Sequence, residues 1–171
     1  EPGCSFYLDL PALVPTAEQL KGPSSGPEME LYSLDRREKF AGHTPRVLVV
    51  DDNTLNRRLT THLLQQLGAE TAVAASAAEC FEKLDTNIFD LVLMDVQMPV
   101  MDGLDATRHI RSKEKEKGGR AMPIVALTAD AMVGDRERCM ESGMDDYLTK
   151  PLRREELARV LTAYASTNGH S

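Results

Sequence analysis

Asp51, Asp52, Asp95, Thr128 and Lys150 have one thing in common: each stands just past an apolar run, in VLVVDD, LVLMD, PIVALT and YLTK. A run of large apolar residues that stops abruptly at a polar side chain reads as a buried parallel strand whose carboxyl end opens into a site. Gathered on one rim, three carboxylates repel each other strongly, and such a cluster is tolerable only with a cation beside it. Oxygen-only ligands favour Mg²⁺, for which one or two carboxylates, a backbone carbonyl and water suffice. No His or Cys lies at these strand ends to make a zinc site. The chemistry that fits the set is phosphoryl transfer to a carboxylate, with Asp95 as the acceptor. Negative charge on the three equatorial oxygens of the moving group must then be stabilised. Mg²⁺ covers one part, the Lys150 ammonium a second, and the Thr128 hydroxyl with nearby backbone N–H groups a third. The acyl phosphate so formed is a mixed anhydride, reactive enough to be transient and therefore useful as a signal.

Taken singly, each of these residues has an ordinary explanation. Asp-Asp after a strand is often a helix cap, a Thr at a strand end is often a turn residue, and Lys-Pro is usually a surface turn. Their joint occurrence at four strand ends is what points to a site, and it requires a fold that brings those ends together. From Pro45 onward the sequence alternates strands and helices. Strands are predicted at 47–50, 70–74, 91–94, 124–127 and 147–149. Helices are predicted from Asn53 or Thr54 to Gly68, over 76–86, 103–113 and 133–142, and in a final segment burying Leu157, Val160, Leu161 and Tyr164. The first helix carries Leu55, Leu59, Leu63, Leu64 and Leu67 as a predominantly core-facing seam, and KEKEKGGR (113–120) reads as a solvated loop. Cys80 and Cys139 fall at inward helix positions. Five βα units demand crossovers, hence a parallel sheet covered on both faces. The most apolar runs, 47–50, 91–94 and 124–127, belong in its centre. This is a flavodoxin-like (βα)5 doubly wound sheet with strand order 2-1-3-4-5, in which ligands bind beyond the carboxyl ends of strands 1 and 3.

The totals narrow the alternatives. The formal net charge of -7 opposes a nucleic-acid-coating role, since a polyanion needs a basic face. Three scattered cysteines, Cys4, Cys80 and Cys139, form no CxxC pair, which fits a reducing cytoplasm. No apolar stretch approaches the roughly 20 residues that cross a bilayer, and the first residues do not read as a signal peptide. Residues 12–45 are rich in Pro and Gly and lack sustained periodicity, the composition of a linker, with a helical turn possible within 29–40. Residues 1–11 hold an alternating segment at Phe6, Leu8 and Leu10, a strand signal. His43, His62, His109 and His170 lack the setting of a phosphodonor, and His62 has no acidic neighbour of the kind expected of one.

The segments VLVVDDN, LVLMDVQMPVMDG, PIVALTA and YLTKP together resemble a response-regulator receiver domain of two-component signalling, over residues 46–166. The resemblance implies that Asp51, Asp52, Asp95 and the backbone carbonyl of Gln97 hold Mg²⁺. It also implies that Asp95 is phosphorylated and that Thr128 and Lys150 contact the phosphoryl group. Tyr147 stands at the family's rotating aromatic position, coupled to Thr128, while Gln97 and Asp130 occupy positions that tune phosphoryl lifetime. The wording DVQMPVMDG is similar to receivers at the carboxyl end of hybrid histidine kinases. Gly3, Cys4, Ser5, Phe6, Leu10 and Pro11 likewise resemble the last strand of a kinase ATP-binding domain. The chain therefore reads as a kinase strand (1–11), a linker (12–45), a receiver (46–166) and a short tail (167–171). The expected partner is a histidine kinase phosphodonor domain or a histidine phosphotransfer protein, with no DNA-binding effector on this chain. Two other classes stand beside this one: a haloacid-dehalogenase-like phosphatase, which needs a second acid where Gln97 stands, and a pseudo-receiver acting only as a binding surface.

Overall fold

The computed structural model describes residues 42–130 and 132–165. The expected kinase strand, the linker as far as residue 41 and the tail lie outside them. The described chain alternates strictly: β1 (Arg46–Val50), α1 (Thr54–Gln66), β2 (Glu70–Ala74), α2 (Ala77–Thr86), β3 (Leu91–Asp95), α3 (Gly103–Lys117), β4 (Ile124–Thr128), α4 (Val133–Ser142), β5 (Asp146–Thr149) and α5 (Arg154–Val160), which a π-turn extends over Leu161–Ala165. All pairings are parallel and the order is β2-β1-β3-β4-β5, as the strand compositions predict. Every residue of β3 and β4 is buried, whereas the edge strands β2 and β5 are only partly covered.

Alternate strand residues point to opposite faces and nucleate two cores. Leu48, Val50, Val92, Met94, Ile124 and Ala126 pack with Ala77 and Cys80 of α2, Leu104, Ala106 and Ile110 of α3, and Cys139 of α4. Val47, Val49, Leu91, Leu93, Val125 and Leu127 pack with Leu64 of α1 and Leu157, Val160 and Leu161 of α5. Helix starts follow the capping rules. Asn53 accepts the N–H groups of Leu55 and Asn56, and Ser76 and Asp102 each accept the N–H three residues on.

Two expectations are corrected. The segment 113–117 is the last part of α3, not a loop, and the chain turns only at Gly118, which ends the helix in the left-handed region. Lys and Glu are good helix formers, and here Lys113 and Lys117 both reach Asp85 on α2 at 3.4 Å. Lys115, Glu116 and Lys117 face solvent, while Glu114 turns in towards Arg111 and Met122. In α1, Leu55 and Leu59 are 73% and 49% exposed, while Thr60 and Leu64 are buried and Leu63 and Leu67 pack at the margin of the core. At about 100° per residue, Leu55 lies half a turn round the helix from Leu64, so the five leucines cannot share one face.

Candidate functional site

The carboxyl ends of β1, β3, β4 and β5 bring the residues singled out above onto one rim. Asp51 and Asp95 are buried, 1% and 4% exposed, and Asp52 is exposed. One oxygen from each of the three carboxylates lies within 4.8 Å of the others. Asp51 is tied by every oxygen it has. Its Oδ1 accepts the Asn53 N–H at 2.8 Å, its Oδ2 accepts Lys150 Nζ at 2.8 Å, and its backbone carbonyl accepts Arg57 Nη1 at 2.6 Å. Asp95 accepts the Gln97 N–H on Oδ1 at 3.1 Å and pairs through Oδ2 with Lys150 Nζ at 3.0 Å. A single ammonium therefore bridges two buried carboxylates while a third stands beside them.

The electrostatics reflect that shortage of positive charge. Burial pushes the Asp95 carboxyl above the usual range and Asp51 adds to the rise, against the opposing pull of Lys150 and the Gln97 N–H. Burial alone would lower Lys150, but its bonds to Asp51 and Asp95 outweigh this and hold the ammonium above its ordinary value. The two directions look inconsistent for one ion pair, since a paired carboxylate ordinarily falls. They agree because burial, the largest cause of the Asp95 rise, outweighs what the shared Lys150 gives back. The donor set, all carboxylate oxygen with one lysine between three acids, fits a divalent cation of the hard, oxygen-seeking kind.

The remaining predicted residues surround this centre. The Thr128 hydroxyl bonds within its own loop, donating to the Asp130 carbonyl at 2.9 Å and accepting the Asp130 N–H at 3.2 Å. It lines a polar groove with Asp52, Gln97, Asp102 and Arg138. Tyr147 is half-buried on β5 beside the core, under the Arg136 guanidinium at 5.8 Å. Asp130 is exposed, and its backbone supplies both contacts to Thr128. On the other side of Lys150, a shallow cleft runs between Asn56, Leu59 and Thr60 of α1 and Pro151 and Leu152. The Lys150–Pro151 peptide is cis. Of the histidines, His62 bonds Gln66 at 2.9 Å on the surface of α1 and His109 packs tilted against Phe81, ring centroids 4.6 Å apart, neither among the acidic residues of the site.

Two residues of the site escaped the sequence reading. At Gly103, the first residue of α3, an added Cβ would lie 2.2 Å from the backbone carbonyl oxygen of Asp95. Only glycine lets α3 begin against the acceptor strand, and its N–H closes the loop on the Val96 carbonyl at 3.0 Å. A glycine directly after the Asp102 cap, where helix propensity gives no reason for one, was the available signal. The second is Arg57, whose basic side chain in the opening turns of α1 runs against the helix dipole.

Comparison with known proteins now bears on this arrangement. Residues 47–162 match the family model of the response regulator receiver domain. The chain belongs to that family. Its receiver is 46% identical over 124 residues to the sensor histidine kinase GacS of Pseudomonas protegens, a match covering 72% of this chain and 14% of that kinase. Among solved structures, the receiver domain of the sensor histidine kinase PA1611 from Pseudomonas aeruginosa holds a magnesium ion in its active-site cleft. It is 38% identical, with a TM-score of 0.64 over 72% of this chain and 98% of that one. The Saccharomyces cerevisiae receiver of Ssk1, solved with the histidine phosphotransfer protein Ypd1, is 30% identical with a TM-score of 0.70, covering 74% and 92%. Five parallel strands in the order 2-1-3-4-5 are thus shared with receivers of two-component systems.

Proposed function

We propose that this receiver takes a phosphoryl group from a phosphohistidine onto Asp95 in a Mg²⁺-dependent step, and then relays it or loses it to water. The observation that carries the reading is the Lys150 ammonium shared between Asp51 and Asp95 at 2.8 and 3.0 Å, beside a third carboxylate. Asp51, Asp52, Asp95 and the carbonyl of Gln97 would hold the ion. When bound, Mg²⁺ supplies the positive charge that lets an anionic phosphoryl group approach an anionic nucleophile.

The chain's own groups do the rest. A carboxylate oxygen of Asp95 attacks phosphorus as the P–N bond to the donor imidazole breaks. The imidazole keeps the bond's electron pair and takes up a proton from solvent. Lys150, already within 3.0 Å of Asp95, stays with the transferred group and neutralises one of its oxygens. Thr128 gives up its bonds to Asp130 and turns its hydroxyl to another, freeing space for Tyr147 to rotate inward. Gln97 and Asp130 flank the acceptor and govern how readily water reaches the acyl phosphate.

The donor is read as a histidine kinase or a histidine phosphotransfer protein. Leu59, which lines the cleft at Lys150 and Pro151, and Leu55, exposed one turn before it on α1, offer it an apolar contact. The relatives that support this are sensor kinases of which the chain spans about one-seventh, 14% for GacS. With the kinase-like wording of Gly3 to Pro11, they favour a receiver carried by a hybrid kinase and working in the cytoplasm. No described helix is long and apolar enough to cross a membrane.

Incubation with Mg²⁺ and acetyl phosphate is expected to add the mass of one phosphoryl group, with no adduct in Asp95→Asn. No adduct with any phosphodonor, or an adduct that survives the substitution, contradicts the assignment.

A further inference from the structure

We infer that Arg57 is a positioning residue for the cation site, acting through the backbone between Asp51 and Asp52. This rests on the Mg²⁺ reading above. Arg57 is the fourth residue of α1, and its own N–H closes the helix onto the Asn53 carbonyl at 3.0 Å. Its side chain turns back across the first turn of the helix. Nη1 donates to the Asp51 carbonyl at 2.6 Å and Nη2 to Thr54 Oγ1 at 3.1 Å, so the planar fork spans the strand end and the helix start.

Local rules oppose this placement. A cation at a helix N-terminus faces the positive end of the dipole, and the first turn of α1 holds no acidic residue to offset it. The compensation comes from outside the helix, in the charge-assisted bond to the Asp51 carbonyl. The carbonyl Arg57 takes lies where the sheet runs out. Asp51 N–H still bonds the Ala74 carbonyl at 3.2 Å, but the β1–β3 register ends at Val50 opposite Met94. A carbonyl beyond the ladder is free to swing, and the peptide plane it belongs to joins the two acids. Asp51 has two other anchors, Asn53 and Lys150. Asp52 is exposed, and the backbone on either side is what aims its carboxylate inward. Fixing that one peptide plane therefore limits the directions in which the Asp52 side chain can leave the backbone.

The inference has a sign that separates it from simple charge. If Arg57 acted only as a nearby cation it would repel Mg²⁺, and its removal would tighten binding. As a positioning group, its removal weakens binding. The test is a Mg²⁺ titration of the metal-stripped chain, followed through backbone amide shifts near residues 51–53, with the thermal midpoint of each variant measured alongside. Arg57→Ala is expected to raise the Mg²⁺ Kd about tenfold, as loss of a group that orients metal ligands commonly does. Arg57→Lys, whose ammonium lacks the planar two-nitrogen fork that spans the carbonyl and the hydroxyl, is expected to recover less than half of that loss on a logarithmic scale. Unchanged or tighter binding by a folded Arg57→Ala, or full recovery by Arg57→Lys, overturns the inference while leaving the Mg²⁺ site standing. Absence of any Mg²⁺ response in the wild-type chain overturns both.

Discussion

The two rims of the sheet use the same residue types to opposite ends. At the amino-terminal rim Asp90, Glu114 and Asp145 each join a strand start to a basic side chain. Asp90 Oδ2 accepts the Arg46 N–H at 2.8 Å and bonds His43 Nε2 at 2.9 Å. Asp145 Oδ2 accepts the Ile124 N–H at 2.8 Å and Arg111 Nη2 at 2.9 Å. Glu114 takes the Met122 N–H at 2.8 Å and Arg111 Nη1 at 2.7 Å, while the same guanidinium also holds the carbonyls of Gly143 and Met122, both at 2.8 Å. At the carboxyl-terminal rim three carboxylates have one bridging ammonium. Saturated acids hold a fold together, whereas acids short of a counter-charge hold a place for one.

Substitutions that remove charge should therefore act with opposite signs at the two rims. The largest effect is expected from Arg111→Ala, which strips partners from Glu114, Asp145 and two carbonyls at once. It should cost about 3 kcal/mol, the lower end for breaking a buried pair because Asp145 is partly exposed, measured by urea denaturation. A loss under about 0.5 kcal/mol, the size of an ordinary surface change, would break the comparison. Gly103→Ala forces a methyl group against the Asp95 carbonyl and should cost about 2 kcal/mol. It should also slow phosphorylation by acetyl phosphate, because the acceptor strand must move to make room.

Asp95→Asn should do the reverse of Arg111→Ala and raise the metal-free Tm by a few degrees. The sign follows from proton binding. The folded chain holds the Asp95 proton more tightly than the unfolded chain, so wild-type stability falls as pH climbs from the ordinary carboxylate range through the raised pKa. Asp95→Asn lacks that fall, and the gap between the two proteins should widen across the same window in thermal scans. The smallest effect concerns the loop beside the acceptor. Val100 is the one non-glycine at positive φ among the described residues, at 72°, and its side chain is fully exposed. Val100→Gly should gain about 0.5 kcal/mol, the left-handed penalty less the extra freedom glycine gives the unfolded chain. A loss of stability would show that Val100 makes contacts that outweigh its backbone strain.

Much of this was legible from the residues. Strand order followed from which apolar runs could stand burial on both faces, and the site from what terminated them. The sequence reading fell short where side chains reach across elements. The charges at 113–117 read as loop because their partner, Asp85, lies on another helix. The leucines of α1 read as one seam because spacings of four and five look alike until counted against the helical repeat, which turns Leu55 away from Leu64. Lys150 was placed on the rim, but its division between Asp51 and Asp95 depends on distances no spacing reveals. The bonds between the Thr128 hydroxyl and the Asp130 backbone likewise depend on a loop geometry that no spacing reveals.

Manganese titration under NMR tests the contrast between the rims most directly, since Mn²⁺ shares the oxygen preference of Mg²⁺ and broadens nearby amide signals. Broadening is expected to begin at residues 51–53, 95–97 and 128–130 and to leave residues 90, 111, 114 and 145 sharp. Broadening that begins at the Arg111 cluster, or that spreads evenly over both rims, would contradict the claim that the acids around Asp95 are the ones awaiting a cation.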